Sequence, residues 1–308
     1  MNATAPPSAK PTLRRHAPVI LETGGWDDYA LIDAGDGEKL ERYGRYRIVR
    51  PEPQAMWQRR LPASEWENAD ARFVGPGEDE DVDGRWRYRK PLAETWPLSY
   101  DGVPFLGRFT SFRHVGVFPE QATHWEWMKA RIAGAGRPVK VLNLFAYTGI
   151  ASLVAAKAGA EVTHIDASKK AIGWARENQA LGHLEALPIR WICEDAVKFV
   201  ERENRRGSRY DGIVLDPPKF GRGPKGEVWD LFTGLKPLLA ACVTLLTPNP
   251  LFVVLTAYSI RASFYAIDEV AAECLAGRGG LLESGELVLN EKSGGRKLST
   301  SLFSRWSA

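Results

Sequence analysis

VKVLNLFAYTG, residues 139–149, runs from a mainly apolar segment straight into a turn. Apolar residues at both parities mean a strand buried on both faces, which is the signature of a parallel sheet covered by helices. The residues that follow keep that promise. A helix through Ala151–Ala158 precedes the strand EVTHID (161–166), and Ser168 is placed to cap a helix reaching Leu181. IRWIC (189–193), a helix from Asp195 to near Asn204, and the strand YDGIVLD (210–216) come next. After a glycine-rich loop there is a helix over 228–246, the strand LFVVLTA (251–257) and a helix over 262–276.

Strands alternating with helices predict an α/β fold with a doubly wound, mostly parallel sheet. GELVLN (285–290) and LSTSLFSRW (298–306) are joined by the short, glycine-containing EKSGGRK. That is a hairpin signal, so the last of seven expected strands runs antiparallel. A further helix is expected over 119–133.

Upstream the texture differs. VILET (19–23), YALIDA (29–34), YRIVR (46–50), RWRYR (85–89) and FTSFRHV (109–115) read as short strands between turn signals such as Gly35-Asp36-Gly37 and Asp101-Gly102. One short helix is expected around Trp57, and the acidic GPGEDEDVDG (75–84) reads as a solvated loop. The chain therefore divides into a loose tail (1–17), a small β-rich domain (18–117) that can wall a substrate site, and a larger domain (118–308).

Composition narrows the class. With 308 residues, 44% of them hydrophobic and 26% charged, the chain is of ordinary globular make-up. The start, MNATAPPSAKPTLRRH, lacks the apolar core of a secretory signal, and no apolar run is long enough to span a bilayer. A cytoplasmic protein is expected, with no membrane partner. Cys193, Cys242 and Cys274 match no metal-ligand spacing and read as reduced thiols, so no metal is expected. Residues 1–120 carry 17 Lys+Arg against 19 Asp+Glu, leaving 24 against 19 beyond them, so the larger domain is mildly basic.

Sheets of this kind bind ligands at the carboxyl ends of their strands. Those ends read Asn143-Leu144-Phe145-Ala146-Tyr147-Thr148-Gly149, Asp166, Glu194-Asp195, Asp216-Pro217-Pro218 and Thr256-Ala257-Tyr258-Ser259. The first turn lacks the Gly-x-Gly-x-x-Gly that a dinucleotide pyrophosphate needs, which argues against NAD. Asp166 is placed to accept from two ribose hydroxyls, or to cap the next helix. Asp195 can accept from an adenine amine, or cap the helix that starts at Ala196. Pro217 and Pro218 hold their loop extended, so Asp216 and the Pro217 carbonyl present two fixed acceptors. Phe220 either stacks on a base or packs beneath the loop. Lys219 is a solvated lysine or a phosphate contact.

Together FPEQ (118–121), NLFAYTG (143–149), HIDAS (164–168), Glu194-Asp195 and DPPKFG (216–221) resemble the class I S-adenosylmethionine-dependent methyltransferases of bacterial large-subunit ribosomal RNA. The resemblance covers 118–308 and implies S-adenosylmethionine as cofactor and an RNA, ribosomal RNA, as substrate. It implies that Asn143, Phe145, Tyr147 and Gly149 line the methionine end of the cofactor. Gln121 would meet its amino-acid group, Asp166 its ribose, Asp195 its adenine, and Asp216 the reacting methyl. The β-rich segment resembles the small central domain of those proteins.

One departure matters. Members that methylate cytosine C5 use a cysteine just after the fifth strand, where this chain has Ala257-Tyr258-Ser259. Direct transfer to a nitrogen is therefore expected, with Asp216 and the prolyl carbonyl as acceptors and no covalent cysteine. Lys219, Arg222, Lys225, Arg261, Lys292, Arg296 and Lys297 all follow strand ends and are expected to form a basic rim for RNA. Arg202, Arg205, Arg206 and Arg209 precede the fourth strand and are expected on the opposite face, without a role. The alternatives are a small-molecule or protein methyltransferase and a nonenzymatic cofactor- or RNA-binding module.

Overall fold

The computed structural model describes residues 11–75, 84–258 and 260–308. The acidic segment 76–83, the first ten residues of the expected tail, and Ser259 lie outside the described residues.

The first strand, β1 (Arg14–Thr23), does not join the small domain. It pairs in parallel with a C-terminal strand at the edge of the large sheet, so part of the expected tail and all of VILET belong there. The approach depends on Gly285, far along the chain: it lets the backbone of Val19 come so close that a Cβ would sit 1.8 Å from its carbonyl oxygen.

The small domain consists of β2 (Tyr29–Gly35), β3 (Glu38–Tyr43), β4 (Tyr46–Pro51), α1 (Ala63–Glu67), β5 (Ala71–Val74) and β6 (Arg85–Tyr88). The five strands form one sheet in chain order, with β6 at an edge. The expected helix at Trp57 is absent from that position; the indole instead donates to the Ala34 carbonyl at 2.8 Å, and the helix comes six residues later. A two-stranded hairpin follows, β7 (Thr95–Tyr100) and β8 (Val103–Arg108), turned by Asp101 and Gly102 with φ of 50° and 66°. FTSFRHV, expected as a strand, is an irregular segment after β8. Trp96, Phe105 and Val115 share a single apolar core with Val139, Val141 and Leu153 of the large domain, so the two parts are packed together.

The large domain begins with a single turn at Pro119–Gln121 that leads into α2 (Ala122–Ala133). Then come β9 (Val139–Leu144), α3 (Ile150–Lys157), β10 (Ala160–Asp166), α4 (Lys169–Leu181), β11 (Ile189–Cys193), α5 (Ala196–Arg206) and β12 (Gly212–Leu215). A small ribbon, β13 (Phe220–Arg222) with β14 (Val228–Asp230), replaces the expected plain loop. It is followed by α6 (Leu231–Thr244), β15 (Phe252–Tyr258), α7 (Phe264–Cys274), β16 (Leu281–Asn290) and β17 (Lys297–Ser307).

Among the described residues the sheet order is β1-β16-β17-β15-β12-β9-β10-β11, eight strands rather than seven, the extra one being β1. Of these strands only β17 runs against the others, pairing antiparallel with both neighbours. Chain order reverses between β9 and β12, the point where an open parallel sheet leaves a crevice at its carboxyl edge. Among the described residues, no helix is long and apolar enough to cross a membrane.

Candidate active site

A cleft of about 850 Å³ opens at that crevice. One wall is the turn after β9 with Asp166, Asp195, Asp216 and Arg222; the other is the segment 108–114 with Phe118, Glu120 and Gln121. A smaller cavity of about 50 Å³ adjoins it through Gln121, Phe145, Tyr147 and Asp216, and reaches Asn143 and His124.

The turn after β9 is strained. Phe145 and Tyr147 have φ of 56° and 49°, the left-handed region that bulky residues avoid at a cost of about 1–3 kcal/mol each. Its surroundings impose the conformation. Ala146 N donates to the Ile165 carbonyl at 3.1 Å, and Tyr147 N to Asp166 Oδ2 at 2.9 Å. Thr148 donates to the Gly116 carbonyl at 2.7 Å, while Asn178 donates to the Thr148 carbonyl at 2.9 Å and accepts from Leu106 N. Gly149 has φ 83°, and a Cβ there would lie 2.9 Å from both Ala175 and the Trp191 ring. Only glycine meets both demands.

Asp166 does two jobs. Its Oδ1 accepts from Ser168 N at 2.8 Å and its Oδ2 from Tyr147 N, which ties β10 to the turn. Burial raises the carboxyl pKa, and these two backbone donors pull it back. Each oxygen retains a lone pair, which suits the two hydroxyls of a ribose. The cap of α4 is Ser168, whose hydroxyl accepts from Ala171 N. Asp195 is the N-cap of α5, its Oδ1 accepting from Lys198 N at 3.0 Å.

Asp216 follows β12 and receives Gln121 Nε2 on Oδ2 at 3.1 Å; Gln121 Oε1 in turn accepts from Thr256 Oγ1 at 3.3 Å. Pro217 is buried, and the Pro218 carbonyl accepts from the Trp229 indole at 2.7 Å. Trp229 also packs on Phe145, 5.1 Å between ring centroids, so the ribbon locks the DPP loop against the strained turn. Asn143 is buried and donates to Ser152, whose hydroxyl meets His164, so it props the site from behind while lining the small cavity. His124 lines the same cavity with neither ring nitrogen paired among the described residues, and burial depresses its pKa to about 3.

A family model for S-adenosylmethionine-dependent methyltransferases matches residues 61–275. The chain belongs to that family. The methyltransferase is similar to a crystal structure of an S-adenosylmethionine-dependent methyltransferase from Agrobacterium tumefaciens, at 61% identity and TM-score 0.93, over 97% of this chain and 96% of that one. A Streptococcus mutans protein described as an S-adenosylmethionine-dependent methyltransferase shares the fold, with TM-score 0.67 at 15% identity over 91% and 75% of the two chains. Among curated relatives, the ribosomal RNA large subunit methyltransferase K/L of a Shewanella strain is 32% identical over 248 residues, 73% of this chain and 34% of its own. The chain spans between a fifth and a third of the length of such relatives.

The methyltransferase's own residues fit its cofactor. The turn lacks the spaced glycines of a pyrophosphate site, Asp166 suits a diol, and Gln121 and His124 line the adjoining cavity.

Several expected site residues lie elsewhere or are already engaged. Phe220 is not core: it is 48% exposed on the ribbon, with Lys219 Nζ 5.2 Å from its ring centre, and it does not line the cleft. Arg222 does line the cleft, and Lys225 is exposed at the ribbon turn. Arg296 is not on the rim. It pairs with Asp33 at 2.9 Å and Glu291 at 2.8 Å and donates to the Gln58 and Ala34 carbonyls, clasping the final hairpin to the small domain. Lys297 pairs with Glu22 on β1. Arg202 has a use after all, reaching back along α5 to pair with Glu194 at the cleft.

No cysteine lines the cleft among the described residues, although the Cys193 thiol meets the carbonyl of Ala167, which does, and burial pushes all three thiol pKa values up. Tyr258 stands in the cleft at the end of β15, taking a 3.4 Å contact from Arg113 and packing on Phe118 and His114. Sequence reasoning missed Thr256 and Trp229 as supports of Asp216, and the segment 108–114 as a wall. A lone tryptophan or threonine carries no local mark of its partner.

Proposed function

We propose that the enzyme methylates a base of RNA, ribosomal RNA in particular, by direct transfer to a nitrogen. The observation that carries this reading is Asp216, held by Gln121 beside the cofactor turn, in a wide cleft that no cysteine lines among the described residues. S-adenosylmethionine, when bound along the turn, Asp166 and Asp195, supplies an electrophilic methyl group. Asp216 and the Pro217 carbonyl hold the N–H of the incoming base, aim its lone pair and stabilise the charge that grows on nitrogen as the N–C bond forms, the S–CH3 bond breaks and S-adenosylhomocysteine is left. Asp216 then takes the proton or passes it to water. Tyr258 and Phe118 supply apolar walls for a planar ring.

The RNA part of the reading rests on the names of the curated relatives and on Arg222 and Lys225, exposed beside the cleft. The test uses methyl-labelled S-adenosylmethionine with unmodified ribosomal RNA transcripts. Wild type should label RNA; Asp216→Ala should lose nearly all turnover while still binding RNA. A variant with all three cysteines changed to serine should keep most of it. Label found only in protein or a small metabolite overturns the RNA reading, and a dead cysteine variant that remains folded overturns direct transfer.

A further inference from the structure

The small domain carries an exposed surface that the cleft chemistry does not use. β6 and its flank read Arg85-Trp86-Arg87-Tyr88-Arg89-Lys90, at the free edge of the five-stranded sheet. Alternation places Trp86 and Tyr88 on one face and Arg85 and Arg87 on the other; both arginines and Tyr88 are exposed, and Trp86 is half-buried. Trp86 and Tyr88 pack on Phe109 at 4.8 Å and 5.2 Å between centroids, and Phe109 is itself part of the cleft wall. The Trp86 indole donates to the Phe112 carbonyl at 3.3 Å, so the strand also holds the segment that walls the cleft.

Two of these rings are left open. Tyr88 is 48% exposed and Phe112 44% exposed. Around them Arg85, Arg87, Arg89 and Lys90 are exposed, and among the described residues no carboxylate pairs with the three arginines. Exposed rings beside such cations, continuous with a cleft that takes a planar base, match the chemistry of a single strand of nucleic acid. Rings stack on bases of any sequence while cations follow the phosphates.

We infer that β6, with Phe112, is a docking platform for the single-stranded RNA that flanks the target nucleotide. The inference rests on the RNA reading above and extends it from the cleft to the small domain. The flanking strand runs from the cleft past Phe112 and Tyr88, and the arginines of the sheet edge bind its backbone.

Binding of a short labelled single-stranded RNA of random sequence, followed by fluorescence anisotropy across a KCl series, tests this. Arg85→Ser/Arg87→Ser/Arg89→Ser should weaken binding about tenfold or more at low salt, and reduce the salt slope by about 0.7 for each phosphate that is no longer neutralised. Tyr88→Ala/Phe112→Ala should weaken binding about tenfold with the slope kept. S-adenosylhomocysteine affinity should not change in either, which also reports that the variants are folded. Arg205→Ser/Arg206→Ser/Arg209→Ser, with the same loss of charge elsewhere, should bind RNA like wild type. If wild type binds and methylates RNA and both platform variants match it, the platform is refuted while the RNA reading stands. Self-association of the arginine variant in sedimentation would then assign those cations to guarding the sheet edge. A wild type that neither binds nor methylates RNA overturns both.

Discussion

Gln121 links the start of the large domain to Asp216: Nε2 donates to Asp216 Oδ2 at 3.1 Å while Oε1 accepts from Thr256 at 3.3 Å. Three elements thus converge on one carboxylate and fix its angle at the cleft. Gln121→Ala should lower the single-turnover rate by about ten- to a hundredfold, since a hydrogen bond to a charged group contributes ~1.5–3 kcal/mol. Gln121→Glu should be worse, because it sets two carboxylates against each other. An unchanged rate in both would show that Asp216 is held by other means.

Asp166 bonds both the strained turn and the start of α4 through one side chain. Asp166→Ala should weaken S-adenosylhomocysteine binding by tenfold or more in calorimetry. Asp166→Asn, which keeps one carbonyl oxygen as an acceptor, should fall between that variant and wild type. Equal affinity across the three proteins would remove Asp166 from the cofactor site.

Arg296 and Arg222 should separate cleanly. Arg296→Ala takes the cationic partner from the buried Asp33 and Glu291 carboxylates, although Asp33 keeps Arg60 N, Leu61 N, the Trp66 indole and Ser293 as donors. Loss of one partner of a buried ion pair costs up to about 3–5 kcal/mol. Denaturant unfolding should register that loss. Arg222→Ser/Lys225→Ser should leave stability within about 0.5 kcal/mol and flatten the salt dependence of RNA binding. The opposite pattern would return Arg296 to the substrate.

Two buried histidines make stability depend on pH. Burial lowers the pKa of His124 and of His164 from 6.5 to about 3. Below about pH 6.5 the unfolded chain takes up protons that the folded chain refuses. Their contribution is therefore complete above that value and is lost as pH falls toward 3, at about 1.4 kcal/mol per pH unit for each histidine. His124→Leu should halve this share of the slope with little loss near neutrality, since no group among the described residues pairs with its ring nitrogens. Unfolding curves at several pH values check this, and an unaltered slope would mean His124 titrates normally.

Much of the large domain was legible because burial on both faces writes itself locally. Val139–Leu144 is apolar at both parities and forms a central strand. Ser168 caps α4 from the position its type suggests, and the strand-end acids Asp166, Asp195 and Asp216 all reach one cleft. The small domain was less legible. FTSFRHV has the composition of a strand, yet it forms the irregular wall of the cleft: its rings pack on Trp86, Trp96 and Phe118 while its backbone joins no ladder among the described residues.

By itself, then, the order of residues determined the alternation of strand and helix, the antiparallel end of the sheet, and which side chains stand at strand ends. Those features depend on neighbours within a few positions, where periodicity, turn residues and caps act. Only the tertiary structure decided that β1 completes the large sheet, that Phe145 and Tyr147 adopt left-handed backbone, and that Arg296 clasps rather than binds. Each depends on a group far along the chain: Gly285 for Val19, Trp229 for Phe145, and Asp33, 263 positions away, for Arg296. A charge or a ring carries no record of its partner in sequence, because Coulomb attraction and packing are set by distance in space.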